Sequence, residues 1–185
     1  MFKTYITAIP LQGRGGLEKG VYRPQGFQLE NNRKTSFPII PVMTGEEGRK
    51  DQIRVIALLT ENADTQDNYD AFIRELAELG IEKTQVIRIA VPEDQSRETG
   101  ANTLIRIMDA VPNDSLVYAD ITFGTKPLAI MIMYAAILAE KLKDTEVAGI
   151  FYGELPRTGG QARWSDAKLY DLTIYKRILD VAEDI

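Results

Sequence analysis

The sequence predicts an α/β fold in which a mostly parallel β-sheet carries helices on both faces. Apolar runs rich in β-branched residues alternate with segments whose apolar residues recur at helical spacing. Turn residues separate the two kinds of segment. Such alternation is typical of parallel sheets, because crossover helices cover both faces of the sheet. We predict a single domain over residues 1–185.

The elements follow in a regular order along the chain. Core strands are predicted over residues 3–9, 52–60, 84–91, 115–122 and 146–154, and helices over 64–80, 95–110 and 126–143 connect the last four of them. Asp64 or Thr65 should cap the first helix and Gly80 should end it. The helix over 126–143 is apolar nearly all round, which predicts burial on most sides. A strand over 167–172, antiparallel to 146–154, and a helix over 172–184 form a C-terminal hairpin and helix.

A glycine-rich insertion separates the first two core strands. Residues 10–36 hold five of the fourteen glycines, which predicts either a functional loop or a short hairpin around residues 21–22 and 27–29. Gly13-Arg14-Gly15-Gly16 is not a dinucleotide fingerprint, since it lacks the final glycine and opens no helix. A flexible lid from which Arg14 reaches a ligand is the better interpretation. The following FPIIPVM segment, residues 37–43, has two prolines and is predicted to be an edge strand or extended.

Composition excludes several kinds of chemistry. The chain has no cysteine and no histidine, so Ser-His-Asp and Cys-His catalysis, thiolate metal sites and imidazole metal ligation are all excluded. A net charge of -5 argues against a general binder of duplex DNA. We expect no metal and no cofactor. The N-terminus does not resemble a signal peptide, and the longest uncharged apolar run is too short for a membrane span, so we expect a cytoplasmic protein.

The ends of the predicted parallel strands define where a ligand should bind. In open parallel sheets, ligands bind beyond the carboxyl ends of the strands. That rule selects Leu11 and Gln12 after the first strand, Thr60, Glu61 and Asn62 after the second, Thr122 and Phe123 after the fourth, and Tyr152 at the fifth. Tyr152 can stack on a base or pack in the core. Asp120, two residues before a strand end, is better explained by structural hydrogen bonds than by catalysis.

The junction after the fourth strand carries the strongest chemical signal. Gly124 allows a sharp turn and close approach of a ligand. Thr125 and Lys126 then stand at a helix N-terminus, where N–H groups and the macrodipole favour an anion. The alternative is that Thr125 simply caps the helix and Lys126 is solvated. The segment is not a P-loop, because Ala119 stands where that motif requires its first glycine.

The segment DITFGTKPLAI, Asp120 to Ile130, resembles a motif of the CARF (CRISPR-associated Rossmann fold) family. Many members carry [ND]-x-T-x-G-T-K-x-[ML] between the fourth strand and its helix. The αβ order over residues 3–154, the IFYGEL strand and the final hairpin and helix agree with this resemblance. Phe123 departs from it, since a glycine or histidine is common at that position.

The resemblance implies a Rossmann-like homodimer whose strand ends form a two-fold symmetric pocket for a cyclic oligoadenylate, often the tetramer. Gly124, Thr125 and Lys126 would then hold phosphates. The residues after the first strand (Leu11, Gln12) and second strand (Thr60, Glu61, Asn62) would contact bases or ribose. Most CARF proteins fuse the sensor to an effector, but the chain ends at Ile185, directly after the sensor-like region.

Three functions remain open at the level of sequence. The first is a sensor in type III CRISPR antiviral signalling that acts by binding the messenger. The second is a metal-independent ring nuclease, in which a ribose 2′-OH attacks its own phosphodiester while Lys126 and Thr125 stabilise the developing charge. The third is a binder of, or enzyme acting on, a different phosphorylated metabolite.

Overall fold

The computed structural model describes residues 1–11, 17–29, 31–43, 52–61, 63–94 and 96–183. Its strands are β1 (Phe2–Ala8), β2 (Arg23–Gln25), β3 (Ile53–Thr60), β4 (Val86–Val91), β5 (Ser115–Asp120), β6 (Thr145–Glu154), β7 (Arg157–Thr158), β8 (Gln161–Ala162) and β9 (Lys168–Asp171). Its α-helices are α1 (Ala63–Glu78), α2 (Arg97–Ala110), α3 (Lys126–Leu142) and α4 (Thr173–Glu183). The predicted α/β fold is confirmed.

Seven strands form one sheet in the order β2-β9-β6-β5-β1-β3-β4. The five strands from β6 to β4 are parallel to one another, β9 is antiparallel to β6, and β2 is parallel to β9. Among these five parallel strands, the chain order runs from β1 outward through β3 to β4 and then returns across the sheet to β5, on the other side of β1. The order of the five parallel strands is therefore Rossmann-like and reverses between β1 and β5, where open α/β sheets form a ligand crevice.

Helices cover both faces of the sheet, as predicted. On one face, α1 and residues 37–43 bury the side chains that point there from β1 and β3. Tyr5 belongs to this core, and the Phe37 and Phe72 rings pack with their centroids 4.9 Å apart. On the other face, α2 and α3 cover Ile6, the next residue of β1. This alternation along a buried strand is expected from the two-residue period of β-structure.

The structure differs from three local interpretations within the first half of the chain. Residues 37–43 contain no strand; Ile40–Val42 forms a buried 3-10 helix, with Pro41 near its start, where a missing N–H costs no hydrogen bond. Of the two alternatives for the insertion, the hairpin around residues 21–22 and 27–29 does not form in the described part of the chain; β2 pairs with β9, and an isolated antiparallel bridge joins Gly20 and Thr35. Neither Asp64 nor Thr65 stands at the N-cap position of α1, since the helix already begins at Ala63.

The exposure of α3 differs from the prediction. Leu128, Ile132 and Ala135 are buried, but Ile130 is 53% exposed and Tyr134 is 51% exposed. The burial expected on most sides is therefore interrupted by an apolar ridge that faces solvent. No helix in the described ranges is both long and apolar enough to cross a bilayer.

Candidate functional site

A tight turn follows β5 and leads into α3. Gly124 has a φ of 89°, a conformation that L-residues with side chains rarely adopt. A Cβ at this position would lie 2.9 Å from Leu128 Cδ2 and 3.2 Å from Ala8 Cβ. The turn therefore packs against the end of β1 and requires glycine for both its backbone conformation and its close contacts. Its location is the crevice between β1 and β5.

The start of α3 is built from the three residues that follow Gly124. Thr125 is the N-cap, and its Oγ1 accepts a hydrogen bond of 3.3 Å from the Leu128 N–H. Lys126 is the exposed first residue of the helix and Pro127 the second. Thr125 thus caps the helix and Lys126 is exposed, as the alternative to a phosphate site at this junction predicted. The 17-residue helix also directs its positive dipole end at the crevice, next to the lysine.

Asp120 anchors this turn from inside the protein. It is fully buried; its Oδ2 accepts a hydrogen bond of 2.9 Å from Thr7 Oγ1 and its Oδ1 accepts one of 3.0 Å from the Thr122 N–H. The Thr122 hydroxyl also donates to Oδ1 and accepts a hydrogen bond of 2.8 Å from the Gly153 N–H. These bonds join the ends of β1, β5 and β6, so the preferred structural interpretation of Asp120 is confirmed.

Burial controls the proton affinity of this carboxyl. Desolvation raises the pKa of Asp120 to about 6, although the hydrogen bonds from Thr122 and Thr7 oppose the rise by stabilising the charged form. A raised pKa in a buried carboxyl is common at functional sites, but such groups also occur in structural networks. Here the carboxylate oxygens are engaged by protein donors, which supports a positioning role for Asp120.

A cavity of about 250 Å³, the strand-end cavity, opens beside the ends of β5 and β6. Three predicted ligand contacts, Thr122, Phe123 and Tyr152, line it. The Tyr152 ring is partly exposed and stacks on Tyr170 with a centroid distance of 6.4 Å, so it is not a core residue. Residues of the insertion complete the wall, among them Leu17, Glu18, Tyr22 and Ser36.

A second cavity of about 440 Å³, the interhelix cleft, lies between the N-terminal halves of α2 and α3. Thr125 and Pro127, the residues on either side of Lys126, line it. Its other walls come from the end of β4, the loop that follows β4, and the facing sides of the two helices. The turn after β5 therefore adjoins a cleft on the helix side of the sheet.

The remaining predicted contacts are more scattered. Leu11 is half-buried after β1, and Thr60 is buried at the end of β3. Glu61 is exposed, and its N–H donates a hydrogen bond of 3.0 Å to the Val91 carbonyl. None of these three lines either cavity. Gln12, Arg14 and Asn62 lie outside the described residues.

Sequence reasoning missed several residues of the strand-end cavity. A Cβ on Gly153 would lie 2.5 Å from Pro38 Cγ and 3.2 Å from Tyr22 Cε1, so both the insertion and the segment that follows it pack directly onto β6 at this glycine. Trp164 also lines the cavity; it covers Gly20 and donates a hydrogen bond of 3.3 Å from Nε1 to Glu18. A glycine near the end of a strand is a signal of close backbone approach and is the one clue that the sequence offered.

No protein-family model matches the chain, and no curated protein matches it. Within the described residues, no group of three or more acidic side chains is placed to hold a metal ion. The local geometry therefore carries the functional argument.

Proposed function

We propose that this protein is a homodimeric binder of a cyclic oligoadenylate, of the tetramer class, that serves type III CRISPR antiviral signalling. The observation that carries the proposal is the Gly124-Thr125-Lys126 turn at the reversal of strand order between β1 and β5. Ligands of open α/β sheets bind in this crevice. The same segment carries the resemblance to CARF proteins.

The chemistry of the turn suits a phosphate. Lys126 is exposed and forms no ion pair with any residue that the structure describes, so its ammonium group is available to an anion. The N-terminus of α3 adds favourable partial charge. Because net protein charge is -5, this local cation is expected to decide where an anionic ligand binds.

The exposed ridge of α3 supports the homodimer. Ile130 and Tyr134 are one helical turn apart and about half exposed, and they follow the turn that carries Lys126. A second copy that packs on this ridge would bring two turns together around a two-fold axis. A ligand with a symmetric ring of phosphates matches such a site, because each subunit contacts half of the ring.

Binding of cyclic tetra-adenylate, measured by isothermal titration calorimetry, tests the proposal. We expect one ring per dimer, and at least about a tenfold higher Kd for Lys126→Ala because a direct charge contact to phosphate is lost. Lys83→Ala is the matched control. Lys83 is an exposed lysine that precedes β4, so it lies at the amino ends of the parallel strands, whereas Lys126 lies at their carboxyl ends. Equal weakening by both variants would contradict a specific site at Lys126.

The same titration separates the other two functions when the ligand is recovered afterwards. Unchanged cyclic tetra-adenylate after prolonged incubation with EDTA supports the sensor, whereas linear products under these conditions identify the ring nuclease. If the wild-type protein does not bind cyclic tetra-adenylate but binds another phosphorylated metabolite through Lys126, the sensor proposal is wrong and the turn remains a phosphate site.

A further inference from the structure

We propose that the interhelix cleft is the nucleobase subsite of the ligand, and that the phosphate next to this base lies between the N-termini of α2 and α3. The inference rests on the proposed function, because it places one adenine of the bound oligoadenylate. It assigns the base to the helix side of the sheet instead of to the residues after β1 and β3.

Size favours the interhelix cleft over the strand-end cavity. The cleft has a volume of about 440 Å³, whereas the strand-end cavity has about 250 Å³. Pockets for small organic ligands usually have volumes of roughly 300–1,000 Å³. Each cavity has one carboxylate and one arginine in its wall, so volume and not charge separates the two.

The lining of the cleft matches the face of a base. Leu104 from α2 and Pro127, Ile130 and Met131 from α3 supply apolar surface on both sides. Gly100 adds no side chain to the cleft, and a Cβ there would make an ordinary contact of 3.7 Å with Met131 Sδ. Bases bind between apolar and aromatic side chains because their faces are poorly solvated, and methionine sulfur packs well against aromatic rings.

The charges around the cleft match a phosphate attached to that base. Arg97 is the exposed first residue of α2 and lines the cleft, and Lys126 is the exposed first residue of α3. Neither side chain forms an ion pair with a residue in the described ranges. Asp94 also lines the cleft and stays negatively charged, because hydrogen bonds from Ser96 and Thr99 hold its pKa below its usual range. The two cations still leave this group of three side chains with a net positive charge.

Filling the cleft tests the assignment. Ala101 is an exposed residue of α2 that lines the cleft, so Ala101→Leu adds bulk there without replacing a buried group. We expect this variant to bind cyclic tetra-adenylate about tenfold more weakly, because stacking of one base is lost. Inorganic tripolyphosphate, a probe without a base, should compete for the wild-type protein and for Ala101→Leu equally well.

Asn102→Leu is the matched control outside the cleft. Asn102 is an exposed residue of α2 that does not line the cleft, so the variant adds similar bulk to the same helix and should bind within about twofold of the wild type. A second measurement needs no variant: with the methionine methyls labelled, the adenine protons of bound ligand should show nuclear Overhauser contacts to the Met131 methyl.

The outcomes separate this inference from the proposed function. If the wild-type protein does not bind cyclic tetra-adenylate, both are wrong. If it binds and Lys126→Ala weakens binding, but Ala101→Leu binds normally and Met131 shows no contact to adenine, only the base assignment is wrong. If Ala101→Leu dissociates the dimer in sedimentation while ligand affinity is kept, the cleft is an interface between copies and the base assignment is again wrong.

Discussion

The same three-residue turn occurs twice in this protein, once at Asp120-Ile121-Thr122 and once at Asp171-Leu172-Thr173. In each, Oδ1 of the aspartate accepts hydrogen bonds from the threonine N–H and hydroxyl. Each threonine hydroxyl in turn accepts a hydrogen bond from a β6 amide, that of Gly153 at 2.8 Å and that of Ile150 at 3.0 Å. The two turns thus fix two different segments to the same strand.

The two turns differ in their surroundings. Asp120 is fully buried and has Thr7 as an additional donor, whereas Asp171 is exposed at the end of β9. The first turn positions the loop that carries Lys126, and the second leads into α4. The comparison teaches that the same local hydrogen-bond pattern contributes differently to stability when one copy is buried and the other is exposed to water.

The largest expected contrast is between the two alanine substitutions at the aspartates. At pH 5, Asp120→Ala should lower the free energy of unfolding by about 3 kcal/mol, because buried donors lose their acceptor and a cavity forms. Asp171→Ala should cost about 1 kcal/mol, since water replaces the lost acceptor at the exposed turn. Urea unfolding of both variants measures the contrast, and equal losses would refute the role of burial.

The pH dependence of stability is the next contrast. Since burial raises the pKa of Asp120 from 3.8 to about 6, its favourable contribution is complete below about pH 4 and is lost as pH rises towards 6. Asp120→Asn removes this titration and keeps an acceptor for Thr122. We expect it to gain about 2 kcal/mol relative to the wild type between pH 4 and pH 7.

The measurement for this prediction is urea unfolding of the wild type and Asp120→Asn at a series of pH values. Asp171→Asn serves as the paired control. A parallel gain in both variants would show that the loss of a negative charge, and not burial of Asp120, causes the effect.

The two threonines should follow the ranking of the aspartates. Thr122→Val should cost about 3 kcal/mol, because the fully buried Asp120 loses a hydroxyl donor and the Gly153 N–H loses its acceptor. Thr173→Val should cost about 2 kcal/mol, because the Ile150 N–H loses its acceptor but Asp171 is exposed to water. Thermal unfolding ranks the two, and a larger loss for Thr173→Val would mean that water from the strand-end cavity replaces the bonds of Thr122.

An effect as small as that of Asp171→Ala is expected for Thr7→Val, which removes a bond that the second turn does not have. A cost of about 1 kcal/mol is expected for one buried hydrogen bond. Because the Thr7 hydroxyl lowers the pKa of Asp120, its removal should shift the pH midpoint of the Asp120 effect upwards. An unchanged midpoint in the stability titration would show that Thr7 does not stabilise the charged carboxylate.

The sequence predicted those parts of the fold that depend on local pattern. The strand and helix around Asp120 and Lys126 were recognised because a β-branched run changes to Gly-Thr-Lys-Pro, which combines turn and helix-start signals within four residues. The same pattern allowed Thr125 to be identified as a possible cap. The alternation along β5 also indicated that Asp120 and Thr122 point to the same side.

The remaining features depend on contacts between distant segments. Pairing of β2 with β9 joins residues far apart in the chain. Because β2 has only three residues, its sequence is too short for a hydrophobic period that would specify β9 as its partner. Likewise, the position of Glu18 and Trp164 beside Tyr152 follows from how the insertion packs on β6. Neither cavity was predicted, because its walls come from elements that meet only in the folded protein.

The β2 edge of the sheet also limits how copies of this protein can associate. β2 has three residues, and Pro24 at its centre has no N–H to donate to an added strand. The edge formed by β2 is therefore short and offers few backbone N–H and C=O groups to an added strand. Association at that end by extension of the sheet is therefore disfavoured, which protects the β2 edge from fibril-like growth.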